Sequence, residues 1–161
     1  MKLPFLRPFK FTVLTLALFT FGCGDDDDPV SPEPPSANLK GTWQFVVDIT
    51  LETGICAGNN EPTWQATVDV VQNGNAVTAT SDWNSVPGTG PHEFGGTISG
   101  NQVVLDGAYP EGTGTTLALY QLTVSADGNS MSGTETWTYV GDEGTCSDSM
   151  SDITATRNPP D

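Results

Sequence analysis

Gly41-Thr42-Trp43-Gln44-Phe45-Val46-Val47-Asp48-Ile49-Thr50-Leu51-Glu52 is the stretch that decides the fold. Trp43, Phe45, Val47, Ile49 and Leu51 fall on one side of it, and Gln44, Asp48, Thr50 and Glu52 on the other, with only Val46 out of step. Successive strand side chains point to opposite faces, so this period of two predicts a half-buried β-strand.

The pattern repeats downstream at about 63–72, 75–83, 92–99, 102–109, 115–125, 130–140 and 149–157, in segments rich in Thr, Val and aromatic residues. That makes eight strands and no helix. Three connections carry tight hairpin chemistry: Asn73-Gly74, Ser99-Gly100-Asn101 and Ala126-Asp127-Gly128-Asn129. The other four, at about 53–62, 84–91, 110–114 and 141–148, read as long loops. Alternate connections of a meander lie at the same end, so tight turns gather at one pole and long loops at the other. This predicts an all-β fold, an eight-stranded antiparallel up-and-down barrel.

The leader has a different build. Lys2, Arg7 and Lys10 precede the apolar run Phe11 to Phe21, which is too short for a stable membrane-spanning helix and suits a secretory signal. Gly22-Cys23 follows at once. Here the chain resembles a bacterial lipoprotein precursor, although Thr20 and Phe21 stand where that family usually has an aliphatic and a small residue. The resemblance implies a signal peptide over 1–22, a lipidated Cys23, and a membrane anchor made of acyl chains, each buried methylene contributing about 0.8 kcal/mol. Asp25-Asp26-Asp27-Asp28 and Pro29, Pro32, Pro34 and Pro35 make 23–38 a solvated tether, with the domain at 39–158. An acidic run directly after a lipidated cysteine is also similar to the surface-export signal of Bacteroidetes-type lipoproteins; a plain solubilising spacer has the same composition. Together these imply an exported protein anchored at the outer membrane, on the cell surface.

The net charge of the whole chain is −15, and loss of the leader leaves only Lys40 and Arg157 against twenty acidic residues. Such a surface repels phosphate backbones and anionic headgroups, which argues against nucleic-acid binding and leaves soluble ligands, surface proteins or glycans as partners. Beyond Cys23, the two remaining cysteines lie in the first and last long loops, which barrel closure brings together, so Cys56 and Cys146 are expected to form a disulfide across the seam.

Continuing the alternation points Trp64, Ala66, Val68, Val70, Val77, Ala79, Ser81, Trp83, Phe94, Gly96, Ile98, Val103, Leu105, Gly107 and Tyr109 inward. On the later strands it selects Ala118, Tyr120, Leu122 and Val124 (with Leu117 and Leu119 competing), then Met131, Gly133, Glu135, Trp137, Tyr139, Ile153, Ala155 and Arg157. Aliphatic residues gather at the tight-turn pole. Trp64, Trp83, Phe94, Tyr109 and Tyr139 make an aromatic rim at the other and are, with Glu135, the candidate ligand-binding residues. Small residues between the poles either leave room for a cavity or let the strands bend around a solid core.

Gly41-Thr42-Trp43 on strand one and Arg157 on the last strand resemble the floor motif of the lipocalin-like (calycin) barrels. The resemblance implies that Trp43 packs under the closed end and that Arg157 lies across its indole, a contact worth about 0.5–2 kcal/mol. It also implies a binding module for a small, partly apolar ligand; the alternative is a solid barrel serving as a structural or interaction element.

Catalytic chemistry finds little footing. His92, the only histidine, follows Pro91 at a strand start and reads as a solvated or rim side chain, and the cysteines are committed elsewhere. No zinc set or cofactor motif is present. Glu52, Glu61, Glu93, Glu111, Asp142 and Glu143 all fall near the open pole, so a carboxylate-based hydrolase is the residual enzymatic reading. Glu135 lies on a face with Met131, Trp137 and Tyr139. Either it meets a polar or cationic ligand group, or strand seven is turned and Glu135 is solvated; the cost of an unpaired buried carboxylate favours the second.

Overall fold

The computed structural model describes residues 36–58, 63–82 and 91–159. Eight antiparallel strands close in sequence order into a barrel: β1 (Gly41–Leu51), β2 (Thr63–Asn73), β3 (Ala76–Ser81), β4 (His92–Ser99), β5 (Gln102–Glu111), β6 (Gly114–Val124), β7 (Ser130–Gly141) and β8 (Gly144–Arg157). One 3-10 turn, Gly54–Cys56, follows β1. Leader, lipobox and residues 23–35 lie outside the described residues, as does Trp83.

The seam closes where alternation demands. Along β1 and β8, Trp43 faces Arg157, Phe45 faces Ala155 and Val47 faces Ile153. Every described inward position chosen from the pattern on β2 to β6 is buried or half-buried, and Leu117 and Leu119 point outward, 54% and 40% exposed. The lower interior is aliphatic, with Val70, Val77, Ile98, Val103, Val124 and Met131 around Trp43.

The floor is built as a lid. Trp43 is fully buried and its indole N–H donates to the Leu39 carbonyl at 2.9 Å. The Arg157 guanidinium lies 4.7 Å from the indole centroid, donating to the Lys40 carbonyl at 3.1 Å and also to the Asn38 carbonyl. Residues 36–40 form a strap across the tight turns: Ala37 N–H donates to Gly100 O at 2.8 Å and Leu39 N–H to Gln72 Oε1 at 2.7 Å. Buried Leu39 plugs the space beneath the indole.

The upper end differs from the sequence reading. The connections expected as long loops at 110–114 and 141–148 are two-residue turns, Gly112-Thr113 and Asp142-Glu143, because β5, β6, β7 and β8 run on past the barrel body. Cys146 is therefore not in a loop; it sits in β8 opposite Tyr139. Between them β8 carries an extra residue: Trp137 pairs with Ser149 and Tyr139 with Cys146, and Asp148 takes up the bulge with a φ of 54°. A bulge resets which face each following side chain meets, which is how Cys146 and Ser149, three apart, are both completely buried. The Cys56–Cys146 disulfide, with Cα atoms 5.7 Å apart, ties the first loop to this extension. Thr53 reinforces the tie by donating its hydroxyl to Ser147 O at 2.5 Å and its amide to Ser149 Oγ at 3.2 Å.

Two of the small inward residues exist for close approach. A Cβ on Gly96 would lie 1.9 Å from the Val104 carbonyl oxygen, and one on Gly133 2.0 Å from that of Gln121. Strand backbones crowd there, so these glycines bend the wall instead of widening the bore.

Candidate functional site

Above the aliphatic floor the interior becomes polar. Buried Ser81, His92, Thr116, Glu135, Ser149 and Ser151 join Tyr109 and Tyr120 in a layer across the barrel. Thr116, Ser149 and Ser151 were not singled out by the sequence, although carrying the alternation upward from Ala118 and Ile153 finds all three.

Glu135 is inward and 2% exposed, so the solvated orientation favoured above is wrong. Strand parity decides it: turning β7 would expose Met131, Trp137 and Tyr139 together, a larger loss than one buried carboxyl. Its register partners are Tyr120 on β6 and Ser151 on β8. Burial pushes the Glu135 carboxyl above the usual carboxylate range, opposed by hydrogen bonding from the Tyr120 hydroxyl, while the Glu111 charge adds to the rise. The rise runs toward the neutral form, the direction that lessens the cost of burying a carboxyl without a cation. Burial likewise raises the Tyr120 phenol well above its ordinary value, with Glu135 second.

His92 also departs from expectation. It is 2% exposed and its ring stacks on Tyr109 at 4.0 Å with 14° between planes, instead of standing solvated at the rim. Parity again explains it, because His92 precedes Phe94 and Ile98 on the inward face of β4. Burial lowers its pKa, partly countered by Glu111.

Of the expected aromatic rim, Phe94 and Tyr109 are core residues and Trp64 is half-buried against the core. Phe94 meets Tyr109 and Tyr120 edge-on, with centroids 6.1 and 5.1 Å apart. These rings, with Phe45, Val47, Leu105 and others, surround a waist void of about 20 Å³. That is room for about one water and for no organic ligand. The larger space lies at the mouth: a cleft of about 390 Å³ lined by Ile55, Cys56, Glu111, Gly112, Trp137, Tyr139 and Glu143. Among the described residues, only Tyr139 belongs to both the expected set and this cleft. Glu135 lies one inward position below Trp137, outside its lining.

Each wall of the cleft has a local cause. The two tight turns carry Gly112 and Glu143, and Glu111 closes β5 just before the first of them. Tyr139 donates its hydroxyl to Glu143 Oε1 at 2.5 Å, and Thr113 donates to the other oxygen of the same carboxylate. These bonds hold the Glu143 carboxyl below its usual range, the Thr113 bond contributing most. Thr116, buried at the base, donates to Glu111 Oε2. The disulfide fixes the third wall, holding Ile55, 40% exposed, against the opening. Among the described residues no group of three or more His, Cys, Asp or Glu side chains is arranged to hold a metal ion. Glu52 is engaged with the Gly58 amide at 2.6 Å, and Glu61 lies outside the described residues.

The closed barrel, with Arg157 over Trp43, is consistent with a lipocalin-like fold. No model of a known protein family matches the chain, and no curated protein matches it.

Proposed function

We propose that the protein is an exported, lipid-anchored protein of the bacterial outer membrane, displayed at the cell surface, whose barrel binds a small, partly apolar ligand in the mouth cleft. One observation carries the binding reading: the cleft's volume of about 390 Å³ and its aromatic wall of Trp137 and Tyr139. Small-molecule sites are of this size, about 300–1,000 Å³, and combine apolar walls with a few placed polar groups. The anchor rests on the leader, on Gly22-Cys23 and on the acidic run after it. The strap joins the barrel at its closed end, so the mouth is the pole remote from the point where the tether would attach. Binding is favoured over hydrolysis because the carboxyl whose pKa is raised, Glu135, lies outside the cleft lining, while Glu143, which lines it, is shifted the opposite way from the acid that glycoside hydrolysis requires.

Two experiments test the two halves. Metabolic labelling with an alkynyl fatty acid should mark the wild-type chain and fail on Cys23→Ser; labelling of that variant would remove the anchor. A calorimetric screen of ring-bearing metabolites against the full chain should find binders that Trp137→Leu weakens by tenfold or more. A screen without binders, or binders indifferent to Trp137→Leu, would defeat the cleft. The second reading, a solid interaction element, draws on the waist void of about 20 Å³; capture of one surface protein or glycan unaffected by Trp137→Leu would support it.

A further inference from the structure

The same cleft carries information about the charge of its ligand. From residue 36 onward the chain has two basic residues, Lys40 and Arg157. Both belong to the closed end, where Arg157 is spent on the indole and on two backbone carbonyls. At the mouth, Glu111 and Glu143 face the same space and are held by hydroxyl donors instead of by cations: Thr116 on one, Thr113 and Tyr139 on the other. Each hydroxyl bond fixes a carboxylate in direction while leaving its charge uncompensated. Beside them stand the Trp137 and Tyr139 rings, buried in the wall at 7% and 6% exposure, so their orientation is set before any ligand arrives. Aromatic faces attract cations through the ring quadrupole, and a low-dielectric wall strengthens the pull of a carboxylate on an ammonium.

Resting on the reading of the cleft as a ligand site, we infer that its ligand is an organic cation, an amine or guanidine whose charged head sits between Glu111 and Glu143 and whose apolar body lies against Trp137, Tyr139 and Ile55. An inorganic ion is the poorer fit. A divalent metal needs more oxygen ligands than the two carboxylates here, and the aromatic wall gives it nothing.

The test uses the full-length chain and four probes in calorimetry at low salt: phenethylamine, its neutral analogue 2-phenylethanol, its anionic analogue 3-phenylpropanoate, and calcium chloride. Phenethylamine should bind at least tenfold more tightly than the alcohol, the acid should not bind, and raising the salt should weaken the amine selectively. Glu111→Gln keeps an acceptor for the Thr116 hydroxyl, whereas Glu143→Gln keeps an acceptor for only one of Thr113 and Tyr139, and the other hydroxyl must turn and accept from the new amide; each should reduce amine affinity about tenfold, and the thermal midpoint measured beside it separates lost charge from lost fold. Equal binding of amine and alcohol, both abolished by Trp137→Leu, would overturn the cationic assignment and leave the cleft standing as a site. Absence of binding by every probe would overturn both. Calcium binding in place of the amine, or amine affinity that survives the double Gln variant, would overturn the inference by itself.

Discussion

Arg157→Ala is expected to destabilise the barrel by about 2–4 kcal/mol. The guanidinium stands 4.7 Å from the Trp43 centroid, a contact worth about 0.5–2 kcal/mol, at the upper part of that range because the indole is fully buried. Its two donors also hold the Lys40 and Asn38 carbonyls. Those carbonyls are on the exposed side of the strap, where water can replace the lost donors, so each bond contributes about 0.5–1 kcal/mol, below the usual value for a charged donor. Arg157→Lys keeps a cation over the ring but loses the planar fork that reaches both carbonyls, so it should recover about half of the deficit. Urea unfolding under non-reducing conditions measures the free energies, provided the slope stays the same. Hydrogen exchange supplies a local readout: the Leu39 amide, held by Gln72, should exchange faster in Arg157→Ala because the strap has lost its lid. A variant within about 0.5 kcal/mol of wild type, with Leu39 protection unchanged, would refute the view that this contact closes the floor.

The interior groups give pH dependences of opposite sign. Glu135 has a raised pKa in the fold, so the stability it contributes is present below the unfolded carboxyl value and is lost as pH rises through the folded one. Glu135→Gln should therefore gain on wild type as pH rises and equal it in acid; parallel stability profiles would contradict this. His92 has a lowered pKa, so its contribution is present above the unfolded value near 6.5 and falls away as pH drops through the folded one. His92→Gln should flatten the profile between neutrality and mild acid in chemical denaturation, and an unchanged slope there would count against the buried neutral ring. Gly133→Ala forces a Cβ to 2.0 Å from a backbone oxygen and should cost about 3 kcal/mol or prevent folding, whereas Gly95→Ala, with nothing within 4 Å, should fall within about 0.5 kcal/mol of wild type by thermal melt; equal melts would show that the wall can open at Gly133.

The barrel body was legible because one rule governs it. With the core on a single side, period two fixes every face, and a shift by one would have exposed Trp43, Leu105 and Leu122 at once. The same rule was sound at Glu135 and His92, where residue-type preference was allowed to outweigh it. Their burial follows from their strands, and burial shifts both toward the uncharged form, Glu135 upward and His92 downward. The mouth was less legible for two physical reasons. Glycine and acidic residues around 110–114 and 141–148 look like loop, but paired glycines also suit a tight turn, and polar strand residues above the barrel body have no core to face. The bulge at Asp148 then breaks the alternation, so no extrapolation from Ile153 could place Cys146 inside. The cleft is made from both of these features, which is why Glu111 and Glu143 surfaced only as two acids among many.

Filling the waist and opening the mouth are consequences of one arrangement. Closing eight strands with glycines pressed against neighbouring backbones contracts the bore, and the remaining rings, Phe94, Tyr109 and Tyr120, pack edge to face until about one water's space is left. A ligand that entered this waist would have to displace a packed aromatic cluster, at a cost of the order of 3–5 kcal/mol per ring removed. Above the polar layer no such penalty exists. There the strand extensions and the disulfide-held loop leave side chains facing one another across open space, already oriented by hydroxyl bonds and burial. Preorganised groups lose little freedom on binding, so the mouth is where this fold can turn contact into affinity, and the carboxylates standing there without cations set which charge it favours.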